Sequence, residues 1–530
     1  MIDRPNVLFI HTDEQRADTL GCYGNEVVDT PHVDELAAEG VTFEEGHCTH
    51  PLCSPSRGTL LTGRYPSAHG LWRNGIPLSQ EETTIAELLR EAGYATGLLG
   101  KGHVTPYYGD PNVHPESVQR GCGWDEENVW EFWREFDGPY YGFDHVRMTL
   151  AHGPKSLDCG HYGLWLDDEH PGQRELFSQD AAVGDTDPEY NSWRSAAPVE
   201  LHSSTWVADR TVEFVEAHAA ERPFFGWVGI PDPHFPYDPP AEYAERYDPG
   251  EIDLPVDPEG TVWGADPPKY VRYHLEEKYG VDWREIPVEK QREIVAHYWA
   301  MVDLLDDQVG RILDALEAEG VADETVVVFT SDHGDWLGDH GLFQKGVPHT
   351  RELTRVPWIV RWPGVAVPGR RVSAPTSHVD VVPTLLDAAG VEVPYGVQGA
   401  SLRPVLTGDA DSLRSFALVE HRHEAYREDH PLVERGDDGG VPEMSATQDN
   451  LINWGEEDIH VKTVYADGCR CSYVTGAETE WGELFDHEAD PDESDNLWFE
   501  DDRLRCTMLS HLVEALIHAD DPLPEREFAV

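Results

Sequence analysis

Two pairs of acidic and imidazole side chains stand where chemistry is expected. Asp13 and Glu14 follow a continuous apolar run, NVLFI at 6–10, and Asp332 and His333 follow another, TVVVFT at 325–330. Short apolar runs of this kind read as buried strands, and ligands of open α/β sheets bind beyond the strands' carboxyl ends. Three carboxylates and one imidazole gathered there need a counter-charge, which a hard divalent cation supplies. Asp is also a common turn former or helix cap after a strand, so either pair alone would carry little weight. Two pairs in one sheet carry more.

A second group is Cys53-Ser54-Pro55-Ser56-Arg57, followed by GTLLTG at 58–63. Pro and Ser fit the first turn of a helix, whose N-terminus presents free N–H groups and positive potential. Cys53 would face an anion there, beside a guanidinium suited to oxyanion contacts. A buried structural cysteine next to a cap is the plainer reading. Zinc is a rival, because His47, Cys48, His50 and Cys53 are densely spaced soft ligands. No second such cluster follows, which disfavours a zinc finger.

The elements that must position these residues alternate. Strands are expected at 6–10, 94–99, 224–230, 325–330 and 356–361, and helices at 31–39, 83–92, 205–220, 290–319 and 380–389. Continuous apolar strands separated by helices predict a mostly parallel sheet covered on both faces. Residues 105–200 and 231–288, rich in Trp, Tyr, Gly and Pro, read as insertions over that sheet. After about 410 the pattern changes to short strands (416–420, 461–465, 471–474), a polar loop at 421–455 and a helix at 503–517. The expected organisation is a catalytic domain over 1–410 and a smaller α+β subdomain over 411–530.

Composition narrows the partners. The 530 residues include 101 Asp and Glu against 39 Lys and Arg, a net charge of −62. Such a surface repels phosphate backbones and anionic headgroups, so neither nucleic acid nor membrane is an expected partner. The acidity is spread along the chain, and only seven lysines occur. This resembles proteins of halophilic organisms, where molar salt screens self-repulsion over a Debye length of ~3 Å. Eight cysteines without framework spacing and a start with only a five-residue apolar run predict a reduced, cytoplasmic protein.

The segment CSPSRGTLLTGRYP at 53–66 resembles the C-x-P-S-R-x-x-x-L-T-G signature of the sulfatase family, within the alkaline-phosphatase-like superfamily. The resemblance continues through PNVLFIHTDEQRADTLGCYG (5–24), GLLGKGHV (97–104), DPHFPY (232–237), TSDHGDWLGDHGLFQKG (330–346) and ELFDHEADPDESDNL (483–497). It implies an alkaline-phosphatase-like α/β fold with a large mixed, mostly parallel sheet and a small C-terminal antiparallel sheet with a terminal helix.

By that resemblance Cys53 is oxidised to formylglycine by a formylglycine-generating enzyme, and its hydrate is the nucleophile toward a sulfated small molecule or carbohydrate. Asp13, Glu14, Cys53, Asp332 and His333 match the metal site, usually calcium. Glu14 stands where the family usually has Asp, Asn or Gln, and His333 where many members have Asn. Imidazole is a softer ligand, which leaves Mn²⁺ open, and Mg²⁺ is a further alternative to calcium. Arg57, Lys101 and the helix N-terminus would neutralise the sulfuryl oxygens. His234 or Lys345 would protonate the leaving oxygen, and His103 or Asp332 would take the last proton. The competing readings are a phosphonate monoester or phosphodiester hydrolase on the same scaffold, and a catalytically inert binding protein. Trp124, Trp130, Trp133, Tyr140, Tyr141 and Trp165 cluster where the alcohol half would be read, although a Trp-rich segment is more often core packing.

Overall fold

The computed structural model describes residues 4–107, 109–121, 124–184, 190–276, 282–423, 459–476 and 481–520. Fourteen strands occur among them. The first seven are β1 (Asn6–Asp13), β2 (Val41–Phe43), β3 (Gly46–His47), β4 (Ala95–Gly100), β5 (His145–Met148), β6 (Phe224–Pro233) and β7 (Thr325–Ser331). The rest are β8 (Trp358–Arg361), β9 (Arg370–Val372), β10 (Thr376–Ser377), β11 (Phe416–His423), β12 (Ile459–Ala466), β13 (Cys469–Thr475) and β14 (Gly482–Asp486).

Eight of them form one sheet in the order β5-β4-β6-β1-β7-β8-β2-β9. Only β8 runs against its neighbours. The apolar run of β1 shows why both faces must be covered. Leu8 and Ile10 join a core with Val228, Val327 and Phe329, packed by the helices Ser203–His218 and Val288–Ala318. Val7 and Phe9 point the other way, into a second core with Phe225, Trp227 and Val326 under the helices Ile85–Glu91 and Val381–Ala389. Strand residues alternate faces, so an unbroken apolar strand requires a layer on each side.

The sequence-based elements match these strands and helices, with six strands unforeseen: β2, β3, β5, β9, β10 and β14. They are two to five residues long, too short to show a period. β5 lies within 105–200, the stretch read as an insertion over the sheet. This stretch supplies an edge strand of the main sheet and the helices Glu126–Glu135 and Gly160–Glu169.

The C-terminal strands form a four-stranded antiparallel sheet, β11-β12-β13-β14. One face carries the helix Asp502–Asp520 over Leu418, Val464, Cys471 and Leu484. The other face shares a core with Trp263, Val271, Trp336 and Val347. β11 extends through 421–423; the remainder of the loop expected at 421–455 lies outside the described residues. Among the described residues no helix is long and apolar enough to cross a membrane, and the seven described cysteines are free.

Candidate active site

Five adjacent parallel strands, β5-β4-β6-β1-β7, each deliver a polar side chain just past their carboxyl ends. In sheet order these are His152, then Lys101 and His103, then His234, then Asp13 and Glu14, then Asp332 and His333. Close strand approach matters here. A Cβ at Gly229 would lie 2.3 Å from the Lys101 carbonyl oxygen, so glycine on β6 lets the Lys101 backbone pass.

Cys53 comes from a helix instead of a strand, as the first residue of Cys53–Thr62, capped by extended Leu52. All ten residues of this helix are buried. Its Sγ lies 3.5 Å from Asp13 Oδ1, 3.3 Å from His333 Nε2 and 3.2 Å from Lys345 Nζ. Burial, with Asp13 nearby, pushes the Cys53 thiol up to about 12. An unmodified Cys53 is therefore a protonated and poor nucleophile at neutral pH.

Ligand atoms of Asp13, Cys53, Asp332 and His333 all lie within 4.8 Å of one another. His333 Nδ1 faces the Gly334 carbonyl at 2.9 Å, so it carries the ring proton. That leaves the Nε2 lone pair aimed at the cluster, the tautomer a metal requires. Two carboxylates and one imidazole nitrogen are a fitting donor set for a divalent cation.

Glu14 stands outside this cluster. At φ 67° its backbone turns the side chain toward Lys345 Nζ (3.0 Å) and His234 Nε2 (3.2 Å). Burial pushes its carboxyl up to about 7, against the pull of Lys345. Burial works against charge on Lys345 too, but Cys53, Glu14 and Asp13 hold it well above the ordinary lysine value.

Arg57 differs from expectation. Its Nε donates to Asp332 Oδ2 (2.8 Å), Nη2 to Asp13 Oδ2 (2.9 Å) and Nη1 to the Lys101 carbonyl (2.9 Å). The guanidinium is fully buried and faces two carboxylates instead of an open oxyanion position. Buried carboxylates need such pairing. Burial raises the Asp13 carboxyl, yet Lys101 and Arg57 together hold it well below the usual range.

Lys101 Nζ bridges Asp13 Oδ2 and His152 Nε2, the latter at 2.6 Å. The His152 ring stacks on His234 with centroids 3.5 Å apart and planes 3° apart. Sequence reasoning missed His152, and the strand-end rule would have found it once β5 was recognised. His234 donates Nδ1–H to the Phe235 carbonyl at 2.5 Å. His103 stacks on Tyr107 at 4.1 Å, and its Nδ1 is buried without a partner. Burial, with His152 and Lys345, lowers His234; burial, with Lys101 and Arg57, lowers His103.

These groups floor a cavity of about 750 Å³ that includes Cys53, Lys101, His103, His152, His234 and Lys345. Its aromatic lining is Tyr107, Trp193 and Phe235. The expected aromatics at 124–165 do not line it. Trp130, Trp133, Tyr140 and Tyr141 are buried in the second core, with Trp124 packed against it, and Trp165 packs on the first. The alternative zinc set does not converge among the described residues. His47 stacks on Tyr465, and His50 Nδ1 accepts from Leu52 N.

The fold and site define a hydrolase of the alkaline-phosphatase-like class. The family model described as Sulfatase matches residues 5–391, and the chain belongs to the sulfatase family. It is similar to an arylsulfatase of Clostridium perfringens, 30% identical over 430 residues, covering 79% of this chain and 82% of the relative. It is also similar to an N-acetylglucosamine-6-O-sulfatase of Bacteroides thetaiotaomicron, 26% identical over 79% of this chain and 74% of the other. Among solved structures it resembles a phosphonate monoester hydrolase of Agrobacterium radiobacter. That match has a TM-score of 0.75 and 26% identity, and covers 98% of this chain and 96% of the other. The protein is a sulfatase-type hydrolase.

Proposed function

We propose that the chain hydrolyses sulfate monoesters at Cys53 after its conversion to formylglycine, with one divalent cation, calcium in the first instance, held by Asp13, Asp332 and His333. The observation that carries this reading is the position of Cys53 Sγ, within 3.5 Å of Asp13, His333 and Lys345 on the cavity floor. A hydrated aldehyde there would supply two hydroxyls, one to form the ester bond to sulfur and one to release it. A cation among the three ligands would add positive charge beside the sulfuryl oxygens.

The chain's own residues do the rest. Arg57 pairs with Asp13 and Asp332 and holds both carboxylates in place. Lys101, anchored by Asp13, and the adjacent His152 offer donors to the sulfuryl oxygens. Lys345, charged and 3.2 Å from Cys53 Sγ, is placed to give a proton to the departing oxygen, with His234 beside it. His103, kept neutral by burial and with a free ring nitrogen, takes up a proton as product leaves.

A second reading, phosphonate monoester or phosphodiester hydrolysis, is favoured by the full-length likeness to the Agrobacterium enzyme. A turnover panel of aryl sulfate, sugar sulfate, alkyl sulfate, phosphate diester and phosphonate separates the two. The sulfatase reading expects kcat/KM to be highest on a sulfate ester; a higher value on phosphonate or diester replaces it with the second.

A further inference from the structure

The wall of the cavity beside His103 contains a carboxylate that the reaction does not use. Glu116 is 1% exposed and lines the cavity. Its Oε1 accepts from Val104 N at 3.1 Å and from Tyr140 Oη at 2.5 Å. Its Oε2 has no hydrogen-bond partner, and neither does the buried hydroxyl of Tyr107, another cavity residue. Tyr107 is fixed by stacking on His103 at an interplanar angle of 5°.

Leaving a buried carboxylate oxygen and a phenol unpaired is costly unless a ligand completes them. We propose that Glu116 and Tyr107 form a hydroxyl-recognition subsite for the alcohol half of the substrate, with Glu116 Oε2 accepting a hydrogen bond from a sugar hydroxyl. The subsite selects a polyhydroxylated alcohol over an aryl one, because only the former returns the missing donor. It rests on the sulfatase reading above. A site built to pair with a hydroxyl rejects analogues that lack it, since its own buried groups then stay unsatisfied. Burial pushes the Glu116 carboxyl up to about 7, which the partner hydroxyl would offset by stabilising the ionised form.

The test compares Glu116→Gln and Tyr107→Phe with the parent enzyme. Substrates are nitrophenyl sulfate, the 6-sulfates of glucose, galactose and N-acetylglucosamine, and deoxy forms of whichever sugar is turned over best. Gln keeps a carbonyl for Val104 N and Tyr140, so the Lys101–Val104 turn is retained, while its amide replaces the acceptor Oε2 by a donor. The expected result is a loss of about 10–100-fold in kcat/KM on the sugar sulfate, seen mainly in KM, with nitrophenyl sulfate unchanged. One deoxy sugar should lose the same factor with the parent enzyme and no more with Glu116→Gln. Equal losses on both substrate classes would assign Glu116 to supporting the turn and overturn the subsite. Parent enzyme active on nitrophenyl sulfate but on no sugar sulfate would also overturn it. Parent enzyme active on no sulfate ester would instead overturn the sulfatase reading.

Discussion

His333 turns its Nε2 toward Cys53 Sγ, 3.3 Å away, because the Gly334 carbonyl holds the proton on Nδ1. The tautomer is thus set by backbone geometry before any ligand arrives. Nucleophile position and metal position are coupled through one ring, so loss of either should be felt at the other.

Cys53 should be found as an aldehyde in active enzyme. Burial pushes its thiol up to about 12, which disfavours the thiolate. Peptide mass spectrometry of protein co-expressed with a formylglycine-generating enzyme should show the thiol replaced. Cys53→Ala should lower kcat by more than about 10³-fold. Active enzyme with an intact thiol throughout would remove the modification from the mechanism.

Arg57→Ala should cost about 3–5 kcal/mol in urea unfolding, because it leaves buried Asp332 without its cationic partner and Asp13 with Lys101 alone. Arg57→Lys should recover only part, since an ammonium cannot span both carboxylates and the Lys101 carbonyl. A loss below about 1 kcal/mol would mean that the carboxylates are held by something else.

Chelation should lower both activity and melting temperature, and calcium should restore them. At 100 times its dissociation constant, a ligand bound only to the native state adds about 2.7 kcal/mol. Asp332→Asn and His333→Ala should each weaken the calcium effect. If melting is the same with EDTA and with calcium, the Asp13–Asp332–His333 cluster holds no cation.

His340 gives a pH test away from the site. Its Nε2 lies 3.5 Å from Glu352 Oε2. Burial opposes its charge, but the neighbouring Glu352 carboxylate, with Asp339, raises it to about 9, from an ordinary 6.5. A raised imidazole contributes stability that is complete below pH 6.5 and is lost as pH rises toward 9. His340→Gln should lower stability at pH 6 by about 1–3 kcal/mol and flatten its decline between pH 6.5 and 9. Parallel curves for parent and variant would show that the pair carries no titrating charge.

Much of the site could be read before any coordinates, for a physical reason. Asp13 and Asp332 each follow an unbroken apolar run long enough to mark a strand, and the strand-end rule does the rest. The same rule was mute at His152, because β5 is a four-residue edge strand with alternate residues half-exposed. Glu116 carried no motif and emerged only from its burial and its unpaired oxygen. Residue type also misled at Arg57 and Glu14. A guanidinium beside a cysteine suggests an oxyanion contact, but two carboxylates from distant strands claim it. For Glu14 the backbone at φ 67°, invisible in the sequence, decides where the carboxylate points.

The last prediction concerns the leaving oxygen. Lys345 and His234 both approach Glu14, at 3.0 and 3.2 Å, but their protonation differs. Lys345 is held charged, whereas burial lowers His234 and its Nδ1 proton is committed to the Phe235 carbonyl. Lys345 is therefore the stronger candidate for the acid, with His234 packed beside it at Glu14. An alkoxide needs a proton as it departs and nitrophenolate does not. General acid catalysis contributes about 10²–10⁴-fold where it is needed. Lys345→Ala should then slow alkyl and sugar sulfates by a factor in this range beyond its effect on nitrophenyl sulfate. His234→Ala should show a smaller difference between the classes. The comparison is of kcat/KM ratios across leaving groups, which cancels any common loss from a weakened fold. If His234→Ala discriminates more strongly than Lys345→Ala, the imidazole is the acid and the lysine supports it. If neither discriminates, both residues bind the sulfuryl group, and the proton comes from elsewhere in the cavity.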